Sequence, residues 1–194
     1  MFKRLTLVLA SVFFAFMTFS ASAENEFEPQ IKEAFASMVQ PWLADAVLVD
    51  AIKAQNAKHA SLAAADIDKL DKDWRAQAQS GSGALIDAVL GNALSKYLTA
   101  KKKGSNEVFT EMFAMDNKGL NVGQSDVTSD YMQGDEGKWK KTFLVGPDAL
   151  FIDEVEFDDS TQTFQSQMSA SITDPATGKV IGAITIGINV ENLP

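Results

Sequence analysis

The stretch from Glu107 to Ser125 constrains the fold more than any other part of the chain. Val108-Phe109-Thr110-Glu111-Met112-Phe113-Ala114-Met115 is dense in β-branched and aromatic residues, Asp116-Asn117-Lys118-Gly119 carries turn chemistry, and Leu120-Asn121-Val122-Gly123-Gln124-Ser125 returns with alternation. This reads as strand, turn, strand. A further strong strand, Val180 to Val190, is entered through the turn Asp174-Pro175-Ala176-Thr177-Gly178-Lys179. Before it, Leu150 to Phe157 reads as a strand, Asp158-Asp159-Ser160-Thr161 as a turn, and Gln162 to Ile172 as a long strand. In that strand Phe164, Met168 and Ile172 alternate against Gln165, Gln167, Ser169 and Ser171. Between hairpin and meander, Asp126 to Pro147 reads as a loop with a short helix from Asp135 to Phe143.

The first half of the chain is helical in pattern. Ile31, Phe35, Met38, Trp42, Val49 and Ile52 recur at steps of three and four, one apolar stripe interrupted by Asp45. Pro41 removes a backbone donor there, so a kink near Ser37 or a break into two pieces is expected. A second helix follows from Leu62 to Gln79, and Ser80-Gly81-Ser82-Gly83 is a flexible break. A third, Ala84 to Thr99, ends in Lys101-Lys102-Lys103-Gly104, cations and glycine where a helix C-terminus favours them. Helices, two strands, a loop with a helix and three strands make an α+β domain: five antiparallel strands with a helical layer over one face. Residues 24–104 form the helical region and 105–194 the sheet region of one and the same domain.

The N-terminus reads as a secretory leader over residues 1–23. Lys3 and Arg4 are followed by the apolar run Leu5 to Phe19 and the small-residue cleavage pattern Ala21-Ser22-Ala23. Removing it leaves 15 basic against 26 acidic residues, a net charge of −11. Phosphate binding needs a basic surface, so nucleic acid is not an expected partner. The chain has no cysteine, which removes disulfides, thiol chemistry and lipidation of a cysteine after the leader. A soluble periplasmic protein is the expectation.

The residues offer little catalytic chemistry. His59 is the sole histidine; it reads as a surface residue in a polar helix break, and neither a histidine-cysteine pair nor a histidine-rich zinc site can be assembled around it, which leaves a serine-histidine-carboxylate arrangement only in principle. Asp153, Glu154, Glu156, Asp158 and Asp159 are acidic, but strand alternation sends them to opposite faces, against a calcium site. Asp153 shares its expected strand face with Phe151, Val155 and Phe157, so it is paired, at an edge, or facing a polar pocket. On the last strand Val180, Ile184, Ile186, Ile188 and Val190 mark an apolar face. Ile181, Ala183, Thr185, Gly187 and Asn189 mark a second face, small and polar enough to leave room.

The order of elements, the Phe113-Ala114-Met115-Asp116-Asn117-Lys118-Gly119 hairpin, the Phe157 to Thr161 turn and Thr177-Gly178-Lys179-Val180-Ile181-Gly182 before the last strand together resemble the Cache (PAS-like, also called PDC) extracellular sensor domains, over residues 27 to 193. The resemblance implies a long N-terminal helix on one face of a curved sheet and a small-molecule pocket on the other, roofed by the loop after the second strand. On that basis the ligand-binding residues are Tyr131, Trp139, Lys140, Asp153, Thr185 and Asn189, with no catalytic residue, metal or cofactor. Tyr131 and Trp139 would form walls, and Lys138, Lys140 or Lys141 would meet a carboxylate. Asp153 would instead favour an amine, so the sign of the ligand stays open. The sequence departs from the family in two places. Members normally sit between two membrane helices, whereas this sequence carries neither a second span nor a signalling output. At Asn189, amino-acid-binding members carry an aspartate. The expected function is therefore binding of a small organic ligand and its presentation to a membrane receptor or sensor protein. The alternative is an accessory periplasmic subunit acting through protein contacts.

Overall fold

The computed structural model describes residues 25–158 and 162–194; the leader and residues 159–161 of the expected turn lie outside them. Strands β1 (Phe109–Met115) and β2 (Asn121–Gln124) form the hairpin, and β3 (Leu150–Asp158), β4 (Thr163–Thr173) and β5 (Val180–Asn189) form a meander. They join as one antiparallel sheet of order β2-β1-β5-β4-β3. The α+β class with a five-stranded antiparallel sheet is thus what the chain adopts. The most apolar strand, β5, takes the centre, where both faces are covered.

One face carries the main core. Met112 and Ala114 of β1, Met168, Ala170 and Ile172 of β4, and Ile184, Ile186 and Ile188 of β5 meet Ile31, Leu48, Val49, Ile52, Leu94 and Leu98 from the helices. Those helices are α1 (Glu28–Ala34), α2 (Ala46–Lys58) and α5 (Ala93–Lys103). The expected single stripe is broken at the proline. After α1 the backbone widens into a π-helical turn at Phe35–Val39, tightens at Gln40–Trp42, and resumes as α2 at 78° to the first piece. No single helix among the described residues is long and apolar enough to cross a membrane.

Two further helices, α3 (Ala64–Ser80) and α4 (Ala84–Leu90), build a second apolar cluster at the hairpin end of the sheet, with Trp74, Ile86, Val89, Leu120 and Tyr131 at its centre. The third helix expected from sequence is two. Gly91 closes α4, and Asn92 caps α5 by accepting a 2.8 Å hydrogen bond from the Ser95 backbone N–H. The lysine run at the end of α5 is occupied in packing. Lys102 reaches both oxygens of Asp126, and the Lys101 ammonium lies over the Trp42 and Tyr97 rings.

Asp116 ties these layers together. It is fully buried, and its Oδ1 accepts the backbone N–H groups of Lys118 (2.8 Å) and Leu120 (3.0 Å), which closes the hairpin turn. Its Oδ2 accepts Gln55 Nε2 at 3.1 Å and His59 Nδ1 at 2.8 Å from the last turns of α2. Its carbonyl accepts the Trp139 indole N–H at 3.1 Å. His59 is therefore not a surface residue: it is 5% exposed, because the end of α2 lies on the hairpin turn. At the same turn Gly119 holds φ +79°, and a Cβ there would overlap the backbone of Gly134.

Candidate functional site

The second face of the sheet is the one that the loop 125–149 covers. Its middle is filled: Phe113, Met115 and Ala183 pack against Trp139 and Phe143, whose rings stack at 4.7 Å. Next to this plug, Ser169 and Thr185 hydroxyls bond each other at 2.9 Å. Toward β3 the packing opens into a cavity of about 300 Å3, of the order that holds a small organic molecule. Its roof is Glu136, Gly137 and Lys138, at and within the single-turn helix α6 (Gly137–Lys140). Its floor is Gln165 and Gln167 of β4, and its outer wall is Asp153, Glu154, Glu156, Phe157 and Asp158 of β3.

The floor is built from a polar interruption in β1. A register shift between Phe109 and Glu111 turns Thr110 and Glu111 toward the same face, and Gly187 opposite them leaves the space that both need. Thr110 Oγ1 donates to Gln165 Oε1, whose amide donates to Asp158 Oδ2 at 2.8 Å. Gln167 Nε2 donates to Glu111 Oε1 at 2.9 Å. Burial pushes the Glu111 carboxyl above the usual carboxylate range, against the pull of the Gln167 hydrogen bond and the Lys138 charge. Lys138 is largely buried, lies 5.4 Å from the centre of the Phe113 ring, and pairs with Glu136 at 2.9 Å. The cavity thus has amide donors and acceptors on its floor, one lysine already paired, and a carboxylate-rich wall.

The raised Glu111 fixes a pH dependence. A carboxyl easier to protonate in the folded than in the unfolded chain makes the folded state the better proton binder, so stability falls as pH rises through the interval between the two values. Above that interval the loss is constant. Glu111→Gln keeps an acceptor for Gln167 and removes the ionisation. We expect it to melt higher than the parent at neutral pH, with the difference closing in acid; thermal melts across pH check this.

The sequence-expected residues divide among several places. Trp139 is in the plug beneath the loop, and Thr185 is on the same sheet face but sealed against Ser169. Asp153 lines the cavity, although not for the reason expected. A bulge between Ile152 and Val155 breaks the alternation, so Ile152 and Val155 both reach the main core and Asp153 does not share a face with Val155. Asn189 stands in register with Gln165 at the end of β5, and its Oδ1 accepts the Glu191 backbone N–H. Lys140 Nζ binds the Asp135 carbonyl at 2.6 Å and is exposed. Tyr131 belongs elsewhere: it is buried in the α3/α4 cluster, stacked on Trp74 at 5.4 Å. The structure does not bring it to Trp139. Sequence reasoning missed Glu111, Gln165 and Gln167. The available signal was Thr110-Glu111, two polar residues in an otherwise apolar strand.

No protein-family model matches the chain, and no curated protein matches it. Among solved structures it is similar to the sensor domain of the Vibrio cholerae histidine kinase DctB, at 11% identity and TM-score 0.40, covering 85% of this chain and 55% of that one. It is also similar to the sensory domain of the Campylobacter jejuni chemoreceptor Tlp3, at 13% identity and TM-score 0.42, covering 84% and 66%. A third is the ligand-binding domain of the Pseudomonas aeruginosa amino-acid chemoreceptor PctC, solved with GABA, at 12% identity and TM-score 0.34, covering 64% and 63%. The chain spans between about half and two thirds of the length of these domains. All three are sensory or ligand-binding domains.

Proposed function

We propose that this protein is an exported, non-catalytic, sensor-type binding protein that takes a small polar molecule carrying a cationic group in the cavity beneath α6, and presents it to a membrane receptor or sensor protein. The observation that carries this reading is the cavity itself: about 300 Å3, floored by Gln165 and Gln167, with its lysine paired to Glu136 and its outer wall acidic. A carboxylate ligand would meet that wall with like charge, whereas an ammonium group gains from it. Of the two signs left open by the sequence, the acidic wall supports the amine. His59 is 5% exposed and is not among the residues that line this cavity, which supports the non-catalytic reading. A leader cleaved after Ala23 would release the chain into the periplasm.

One observation favours the accessory-subunit reading: the plug of Phe113, Met115, Trp139 and Phe143 occupies the centre of the face where the family resemblance places the ligand. A thermal-shift screen of small amines, amino acids and carboxylates separates the two. A bound ligand stabilises the folded state by mass action, so the binding reading expects a saturable rise in melting temperature with one or more amine-bearing compounds. Gln167→Trp, which fills the cavity, is expected to abolish that rise. A protein that responds to no compound, or to carboxylates alone, is the accessory subunit or a different binder.

A further inference from the structure

We infer that the chain carries a protein-docking groove at the end of the sheet where α1 begins, and that its occupant is a basic segment of a partner protein bearing large apolar side chains. The groove measures about 520 Å3, and Phe27, Val155, Phe164 and Val190 are its apolar lining. It exists because the sheet outruns its helical cover. Val155 stands opposite Ser166 and Phe157 opposite Phe164, so these side chains share the face of β4 that carries Met168, Ala170 and Ile172 in the main core. Over Met168 to Ile172 the helices close that face. Toward Phe164 the cover stops at Phe27, the residue that precedes α1.

Phe157 and Phe164 are left 49% and 48% exposed, and their rings meet edge to face with centroids 5.2 Å apart. Covering such a pair removes apolar surface from water, so it is an anchor point for a partner. The walls of the groove are held in place. Asn25 Nδ2 donates to the Asp153 carbonyl at 2.7 Å and to Ser166 Oγ at 3.2 Å, and Asn189 Oδ1 accepts the Glu191 N–H at 3.0 Å. The charged residues of the lining, Glu26, Glu154 and Glu191, are all acidic, and that sign selects the occupant. A second copy seated isologously brings the same carboxylates to the same place, and an anionic membrane surface is repelled. Lysine or arginine beside leucine or phenylalanine complements both rim and floor. Glu154 also lines the cavity beneath α6, so a partner seated here touches the strand that walls the bound ligand.

The probe is the peptide acetyl-Lys-Leu-Phe-Lys-amide, with acetyl-Glu-Leu-Phe-Glu-amide as its charge-reversed control, followed by amide chemical shifts of the whole protein. The expected result is a saturable perturbation centred on Phe27, Val155, Phe164 and Glu191 with the basic peptide, weakened several-fold by added salt, and none with the acidic one. Phe164→Ser, at a half-exposed position that the fold tolerates, removes the response, and Glu191→Lys weakens it several-fold. Gln167→Trp, in the cavity beneath α6, leaves it in place, so the groove and the proposed function fail independently. Sedimentation shows a monomer, and vesicles containing phosphatidylglycerol do not retain the protein. The inference is overturned if the acidic peptide binds equally, if the shifts centre on Lys138 and Gln167, or if the response survives Phe164→Ser in a folded protein. A dimer that Phe164→Ser disperses, vesicle binding lost in the same variant, or the lack of any saturable response overturns it as well.

Discussion

Asp116→Ala is expected to lower stability by roughly 3–5 kcal/mol, the cost of removing one partner from a buried, hydrogen-bonded ionisable pair. In a chain of this size that corresponds to a fall in melting temperature on the order of 10 °C. The carboxylate serves four donors: the N–H groups of Lys118 and Leu120, Gln55 Nε2 and His59 Nδ1. Truncation leaves the Lys118 and Leu120 N–H groups and His59 Nδ1 without this acceptor, while Gln55 Nε2 keeps the Leu120 and Asn121 carbonyls. The hairpin turn, the end of α2 and, through the Asp116 carbonyl, Trp139 all lose their register together. His59→Ala removes one of the four donors and is expected to cost less than Asp116→Ala. Denaturant unfolding of the two variants and the parent gives the ranking, and equal costs would mean that His59, not the carboxylate, is the centre of the network.

Trp74→Ala is the second large effect, roughly 3–5 kcal/mol for a fully buried tryptophan. Trp74 is 0% exposed, stacks on Tyr131, and donates its indole N–H to the Thr128 carbonyl at 2.8 Å. The substitution opens a cavity under α3 and α4 and orphans that carbonyl. It also separates two roles for Tyr131. If Tyr131 is packing, as its place beside Trp74 implies, the variant melts early but still binds ligand beneath α6 at temperatures where it is folded. Loss of binding in a folded Trp74→Ala protein would return Tyr131 to the site.

Strands and turns were the most legible part of the chain, because their signals are local. Asp116 to Gly119 and Asp174 to Lys179 carry turn residues between runs of β-branched and aromatic side chains, and hairpin and meander follow from them. The faces of β5 were legible too, since alternation sorts Ile184, Ile186 and Ile188 from Ala183 and Thr185. Register irregularities were not. The bulge at Asp153 and Glu154 changes which residues share a face, and it is set by pairing with β4 and by the Asp153 carbonyl accepting from Asn25 and Ser166. Neither constraint is local in sequence. The same holds for His59 and Tyr131, whose types suit a surface or a pocket as well as a core; contacts 57 and 57 residues apart, His59 with Asp116 and Trp74 with Tyr131, decide between these environments. The plug of Trp139 and Phe143 shifted the cavity toward β3, and with it the candidate site moved from Thr185 to Gln165 and Gln167.

The most direct measurement is an amide-resolved titration of the protein with the amine-bearing compound that stabilises it most in the thermal screen. The account predicts saturable shifts centred on Glu111, Lys138, Gln165 and Gln167, with Tyr131 and Lys140 unmoved, and their loss in Gln167→Trp while the protein stays folded. Shifts centred on Tyr131 and Trp74, or shifts that persist unchanged in Gln167→Trp, would contradict it.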